Sequence, residues 1–415
     1  MKHQLIQRCV LTSTCLFITA LAPAVFGQGA LTPPGAPAPT FKTLTQVEPR
    51  TDVLRLPGSP TSTYVITAPG SYYLSTNLIG FAFTNGITVL ADHVTIDLRG
   101  FAIIGAGQFG GNANAIVASV PTVDLRVLNG TITSWSGEGV SAQFSKNGKL
   151  EDLITTAIGR SAFHLGDGWI VNDCLVQSNC FYAGGTPAIY AGNHCAVESS
   201  VAQNNNGPGI STANGGLVTV CVANNNLNYG IYTGDDSRVN NCVASMNMGN
   251  QVGDGIYVGY GSSVSGCVAD GNAYNGIETI NGGLVLGCTV RTNMNHGIVV
   301  QYGSTVKDCT ASANHFNGIV ITLRSHVVGN TCDANGNAGI KTGLGGDGNR
   351  IDSNSVTTNT VAGIDCSGST ADLVIRNSAR LNGINYSLNA ATENATIFFA
   401  GPGLLNPDPW GNFSY

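Results

Sequence analysis

A Gly-Ile pair returns along this chain at a nearly fixed interval. It stands at Gly209-Ile210, Gly230-Ile231, Gly255-Ile256, Gly276-Ile277, Gly297-Ile298, Gly318-Ile319, Gly339-Ile340 and Gly363-Ile364, in steps of 21, 25, 21, 21, 21, 21 and 24 residues. Weaker members extend the series to Gly86-Ile87, Ala115-Ile116, Gly139-Val140, Ala162-Phe163 and Ala188-Ile189 upstream, and to Gly383-Ile384 downstream. The 415-residue length alone suggests two or three domains. A sustained period of roughly 20–50 residues specifies a solenoid instead, in which each repeat packs only on its neighbours.

The content of one repeat narrows the kind of solenoid. From Gly297 to Asn314 it reads GIVVQYGSTVKDCTASAN. Two short β-branched runs flank a Gly-Ser turn, and a third run follows Cys309. No ten-residue helical period occurs, and neither a Leu/Asn consensus nor an Ala/Leu helical pattern is present. Each repeat is therefore one coil of a parallel β-helix, all-β, with coils rising about 4.8 Å. About 13 coils are expected between residues 86 and 384.

Two further rows keep the same register. Four residues before each Gly-Ile stands Asn205, Asn226, Asn272, Asn293, Asn314, Asn335 or Asn359, with Gln251 interrupting. Asn tolerates the left-handed turn conformation, and its amide bonds to an identical amide one coil away. Five residues before that row runs Cys221, Cys242, Cys267, Cys288 and Cys309, continued by Asn330, Asn354 and Asn377 and preceded by Cys174 and Ser200. In-register neighbours hold their Cβ atoms about 4.8 Å apart, beyond the usual ~3.5–4.5 Å of a disulfide. The row is read as buried free thiols. A column of equivalent positions cannot close a tetrahedron around zinc. Cys174, Cys180 and Cys195 are close in sequence, and a bridge among them is left open.

These repeats resemble the right-handed parallel β-helix repeat family, the pectin-lyase-like fold. Its pattern of a Gly-Ile, a turn Asn and a second Asn five residues later is seen in Asn330-Thr-Cys-Asp-Ala-Asn335 and in Asn354-Ser-Val-Thr-Thr-Asn359. The resemblance covers about residues 64–400. The PPGAPAP spacer and PWGNFSY tail are similar to those of exported bacterial members of unassigned activity.

The flanks supply the remaining organisation. Residues 1–27 read as a signal peptide: Lys2, His3 and Arg8 precede an apolar stretch that ends at Val25 and Gly27. Residues 28–40 are a Pro-rich spacer. Residues 41–85, with the hairpin-like YVITAPGSYYL, are assigned as an N-terminal cap, and 385–415 as a C-terminal cap with Trp410 on the core. The mature chain is expected to be exported (secreted, periplasmic or at the cell surface), with no later membrane span.

Composition bears on partners. Charged residues are 10% of the chain and the net charge is −6. No basic patch points to nucleic acid. With 43% hydrophobic residues, disorder is excluded.

The resemblance implies that chemistry sits on the outward face of one parallel sheet. If Ile points inward, the next residue points outward. That row reads Ser141, His164, Tyr190, Ser211, Tyr232, Tyr257, Glu278, Val299, Val320, Lys341, Asp365 and Asn385. Tyr190, Tyr232, Tyr257, Tyr260 and Glu278 are the candidate ligand-binding residues, with Tyr faces stacking on sugars and the acid bonding hydroxyls. Candidate catalytic groups are Asp235, Asp236, Asp254, Glu278 and His296. Family patterns argue against catalysis. Asp235-Asp236 and His296-Gly297 are too far apart for the polygalacturonase-like arrangement, and no Asn-Thr-Asp or Arg-x-Lys occurs. A calcium site belongs only to a lyase reading, and no other cofactor or metal is expected. Gly345-Gly346-Asp347-Gly348-Asn349 reads as a Gly-rich turn, and His93, His194, His315 and His326 are dispersed.

The favoured function is a non-catalytic exported scaffold that binds polysaccharide or a cell-envelope component along the Tyr232/Tyr257/Glu278 face. The alternatives are a polysaccharide lyase, glycoside hydrolase or epimerase, and an adhesin.

Overall fold

The repeating Ile positions close into one continuous ladder. In the computed structural model, residues 48–107, 111–182, 185–249, 253–399 and 408–415 are described. The signal peptide and the spacer lie outside them. No helix among the described residues is long and apolar enough to cross a membrane.

The Gly-Ile strands form a 15-stranded parallel sheet from Ser62–Ile66 to Ile384–Leu388. Two further columns of strands make up the other 30 strands. They are joined where the eight-residue strands Arg126–Thr133 and Lys149–Thr156 pass through both. The molecule is an all-β parallel solenoid of about 15 turns rather than 13. Much of the difference is at the N-terminal end, where strands lack the Gly-Ile signature. YVITAPGSYYL is not a hairpin: Ser62–Ile66 pairs in parallel with Asn85–Val89, and Gly70–Tyr73 pairs in parallel with Val94–Asp97.

Three-residue strands set the core. In the first sheet the outer two residues point in, as Ile298 and Val300 do around Val299. In the other columns only the middle residue points in: Val239, Val264, Val285 and Val306 in one, Ala223, Ala244 and Ala269 in the next. All are fully buried, and each buried Ile or Val contributes about 1.5–3 kcal/mol.

The corners are held by side chains that imitate the backbone. The Asn row runs unbroken from Asn179 through Asn205, Asn226, Asn247, Asn272, Asn293, Asn314, Asn335 and Asn359 to Asn382 and Asn385. Each Nδ2 donates to the next Oδ1 at 2.8–3.2 Å. Asn247, not Gln251, fills the supposed gap, because the extra residues of that coil follow the corner instead of preceding it. From Asn179 to Asn382 each Oδ1 also accepts a backbone N–H, as from Asn272 at 3.0 Å, and each Nδ2 donates to a carbonyl, as to Ala244. The left-handed backbone lies one residue earlier than expected, at Asn225, Met246, Thr292 and Ala313. The ladder therefore selects Asn for its amide, not for its φ.

The glycine of Gly-Ile follows from the same contact. A Cβ on Gly297 would lie 2.5 Å from the Gly318 carbonyl oxygen and 2.6 Å from Asn314 Nδ2. The next coil's amide occupies that space.

The Cys row works like the Asn row. The Cys221 N–H donates to Cys242 Sγ at 3.4 Å, and Cys221 Sγ donates to the Val197 carbonyl at 3.3 Å. At Cys309 the role passes to Asn330, whose Oδ1 accepts at 2.9 Å. Thiol and amide interchange because both accept from one coil and donate to a carbonyl. The ten described cysteines are free and buried. Cys174, Cys180 and Cys195 sit at different corners, and burial pushes the Cys174 thiol up to about 12. A third row, invisible in the sequence pattern, runs through Ser237 and Ser262, then Ser304, Ser325, Asn349 and Asp372.

The C-terminal end departs from expectation in two ways. Ile364 pairs with Tyr386 rather than Ile384, so Ser387, not Asn385, continues the outward row. Asn385 instead accepts the last Asn rung. Trp410 does not lie on the core: its ring covers the Arg376 guanidinium at 5.0 Å, and it is 49% exposed. Asn412 anchors the tail, accepting the Asn377 N–H and donating to the Val374 carbonyl, both at 2.9 Å.

Two stability changes are expected. Asn293→Ala leaves a buried N–H and carbonyl unpaired and lowers unfolding free energy by about 2–4 kcal/mol in chemical denaturation. Val220 is β-branched, exposed and held at φ 54°. Val220→Asn, which fits that region, raises stability by about 1 kcal/mol on the same assay.

Candidate functional site

The outward face of the first sheet is built from two columns. One is the residue after each Ile. Its register Ser141, His164, Tyr190, Ser211, Tyr232, Tyr257, Glu278, Val299, Val320, Lys341 and Asp365 is continuous. The other is the residue before each Gly-Ile or its equivalent, among them Glu138, Ser161, Pro187, Tyr229, Asp254, Asn275, His296 and Asn317. The two columns stand three residues apart around the buried Gly-Ile, so their side chains meet on one surface. Reasoning from the first column alone misses Glu138 and Tyr229, although both are marked by standing directly before a glycine.

The columns gather two clusters. In the first, Tyr232 and Tyr257 stack with parallel planes, their ring centroids 5.2 Å apart. Tyr229 packs obliquely on both, at 5.4 and 5.6 Å. The faces that Tyr232 and Tyr257 turn to each other are taken up by this stack. Beside them Asp254 is buried and Glu278 half-buried. Asn275 bridges the two acids: its N–H donates to Asp254 Oδ1 at 2.9 Å, and its Nδ2 donates to Glu278 Oε2 at 2.7 Å. Burial, with the Glu278 charge adding to it, raises the Asp254 carboxyl to about 8, and burial raises Glu278 as well. Burial and the neighbouring acids raise Tyr229 to about 12. A neutral acid in this position donates a hydrogen bond at neutral pH.

The second cluster lies toward the N-terminal end. His164 Nδ1 meets Glu138 Oε1 at 2.6 Å, and Tyr190 sets its ring perpendicular to the imidazole at 5.2 Å. With Arg160 and Pro187 they line a hollow of about 290 Å³. An imidazole with Nδ1 tied to a carboxylate keeps Nε2 for proton transfer or hydrogen bonding. Tyr190 belongs here and not with Glu278, which lies four coils away, about 19 Å at the strand spacing.

The other candidates are drawn into turns and ladders. His296 Nδ1 accepts from the Asn317 N–H at 3.3 Å and lies near Asn317 Nδ2 at 3.1 Å, continuing the row Asp254–Asn275–His296–Asn317. Burial holds its pKa below the usual value. Asp235 Oδ1 accepts the Tyr260 N–H at 2.9 Å in an exposed turn row with Asn193 and Asn214. Asp236 stands at φ 54° beside Arg238 in a separate hollow. Among the described residues no hydrogen bond or ion pair joins Asp235 or Asp236 to Asp254, Glu278 or His296. Tyr260 is an exposed turn residue, not part of the outward row. Among the described residues no group of three or more His, Cys, Asp or Glu is arranged to hold a metal ion. Residues 183–184 and 250–252 lie outside the described residues.

Residues 283–399 match the family model described as right handed beta helix region. The mannuronan C-5 epimerase A-module of Azotobacter vinelandii is similar with a TM-score of 0.42 and 14% identity, over 79% of this chain and 91% of that one. A periplasmic alginate epimerase gives 0.39 and 11%, over 87% and 81%. The Dettilon tailspike protein gives 0.36 and 15%, over 79% and 62%. No curated protein matches the sequence.

The buried acid makes a pH prediction. Asp254 keeps its proton in the fold between 3.8 and about 8, whereas the unfolded chain loses it near the lower value. Its contribution to stability is therefore whole in acid and is lost as pH rises through that window. Asp254→Asn retains the acceptor for Asn275 and stays neutral, so unfolding midpoints measured across the window should fall less with pH than those of the wild type. Parallel pH curves for the two proteins contradict the assignment.

Proposed function

From the premise of a right-handed β-helix chain, we propose that this protein binds polysaccharide along the outward face of its first sheet, as an exported, non-catalytic surface protein. The observation that carries the reading is the in-register run His164, Tyr190, Ser211, Tyr232, Tyr257 and Glu278. Five strand spacings make it about 24 Å long. Such a run offers a linear chain ring edges and phenol hydroxyls along its length, with one acid group, Glu278, at its end. Tyr combines apolar surface with a hydroxyl at little entropic cost, and carboxyl groups bond sugar hydroxyls.

A second reading has its own observation. The Glu138–His164 pair sits in a hollow with the makings of a general base, and an enzyme acting on the same glycan would use it.

Both readings meet one screen of neutral and anionic polysaccharides, scored for binding and for product. Tyr232→Ala combined with Tyr257→Ala should weaken binding at least about tenfold, or ~1.4 kcal/mol. Unchanged binding places the ligand elsewhere, and no binding to any polysaccharide overturns the proposal. Product that appears with the wild type and vanishes in His164→Ala and Glu138→Gln replaces it with the enzymatic reading.

A further inference from the structure

The sulfur of this chain is divided by position. The ten described cysteines are 0–2% exposed. Beyond Met1, the methionines are Met246, Met248 and Met294, and they are 58%, 55% and 59% exposed. Methionine is ordinarily among the most buried residue types, so three open thioethers and no buried one invert the usual placement.

The register explains the exposure. Met246 and Met248 flank Asn247, whose amide is spent on the inward ladder. One coil on, the matching positions are Gly271 and Ala273: the Met246 N–H donates to the Asp270 carbonyl and the Ala273 N–H to the Asn247 carbonyl, both at 2.9 Å. Neither residue has a side chain long enough to cover a thioether, and a Cβ on Gly271 would stand 3.7 Å from Met246 Cγ. Met294 follows on the coil after that, its N–H bound to the Asn272 carbonyl at 2.9 Å. Leu227 precedes Met248 in the row, bridged to it in parallel register, and is exposed as well. Leu227, Met246, Met248 and Met294 thus line the corner of the Asn ladder as an apolar strip.

We propose that this strip is a reversible oxidation site, at which a peroxide converts the three thioethers to sulfoxides and turns an apolar corner polar. The sulfur lone pair takes the terminal oxygen of hydrogen peroxide, the O–O bond breaks, and the departing oxygen leaves as water once the proton has moved to it. Sulfur loses two electrons and the peroxide gains them. In the reverse step a methionine sulfoxide reductase removes the oxygen as water while a dithiol is oxidised to a disulfide. Thiols compete for such oxidants only as exposed thiolates. Here burial pushes the Cys180 thiol up to about 12. Cys221 is the one thiol held below its usual value, by its hydrogen bond with Cys242, and it is 1% exposed.

The test treats the folded full chain with hydrogen peroxide and maps its peptides by mass against time, with free methionine as the rate standard. Met246, Met248 and Met294 should each gain one oxygen within about tenfold of the free amino acid's rate, while the ten buried cysteines stay reduced. The oxidised protein should leave a hydrophobic-interaction column earlier than the untreated protein. A methionine sulfoxide reductase with dithiothreitol should restore both mass and retention. In the triple variant Met246→Leu, Met248→Leu, Met294→Leu, which keeps the strip apolar, peroxide should leave the retention unchanged. Oxidation of any cysteine ahead of the methionines, Cys221 above all, overturns the proposal. So do thioether rates below that bound, an unchanged retention of the oxidised wild type, an equal shift in the triple variant, or sulfoxides that the reductase leaves in place.

Discussion

The structure depends on one hydrogen bond made many times, from the Nδ2 of an inward Asn to the Oδ1 of the Asn one coil on. At 2.8–3.2 Å it ties each coil to the next at the same position. Because the same amide also binds a backbone N–H and a carbonyl, the corner is satisfied without water. A slip of one residue would break these contacts along the whole row and turn every strand's core residue outward. The glycine of each Gly-Ile exists to let that amide approach, and Cys or Ser replaces Asn wherever a similar exchange is available.

In-register stacking turns the surface into rows, and rows dictate where charge can stand. Like charges repeated at about 4.8 Å repel. The chain places many of its acids so that the next coil answers them. Asp270 meets Arg291, Asp333 meets Thr357 and Thr358, and Lys341 meets Asp365. Asp352 takes both Arg350 and Arg376. On the outward face of the first sheet two places among the described residues break the rule. Asp254 and Glu278 lie on adjacent coils with only the Asn275 amide between them, and Glu138 is answered only by a histidine. These exceptions define the two clusters on the outward face.

Much of the fold was legible because the solenoid repeats its instructions. The Gly-Ile spacing gave the first sheet, and the outward row was read correctly from Ser141 to Asp365. Errors fell where the repeat is imperfect. The four extra residues of the Gly230 coil lie after the corner, which hid Asn247. At the end of the solenoid, Gly383-Ile384 mimics the motif two residues out of register. The Ser237 row was missed because Ser, Gly and Asn alternate in it without a fixed letter.

The site was only half legible. The sequence by itself determined which residues point outward, since a strand's alternation follows from covalent geometry. It also determined the scarcity of charge, since in-register rows disfavour like neighbours. Only the tertiary structure decided which outward residues meet. Two columns three residues apart in sequence are brought face to face by the turn of backbone through Gly-Ile, and coils more than 20 residues apart become neighbours. That is why Glu138 joins His164, why Tyr229 joins Tyr232 and Tyr257, and why His296 and Asp235, which looked like reagents, are hydrogen-bonding parts of the stack.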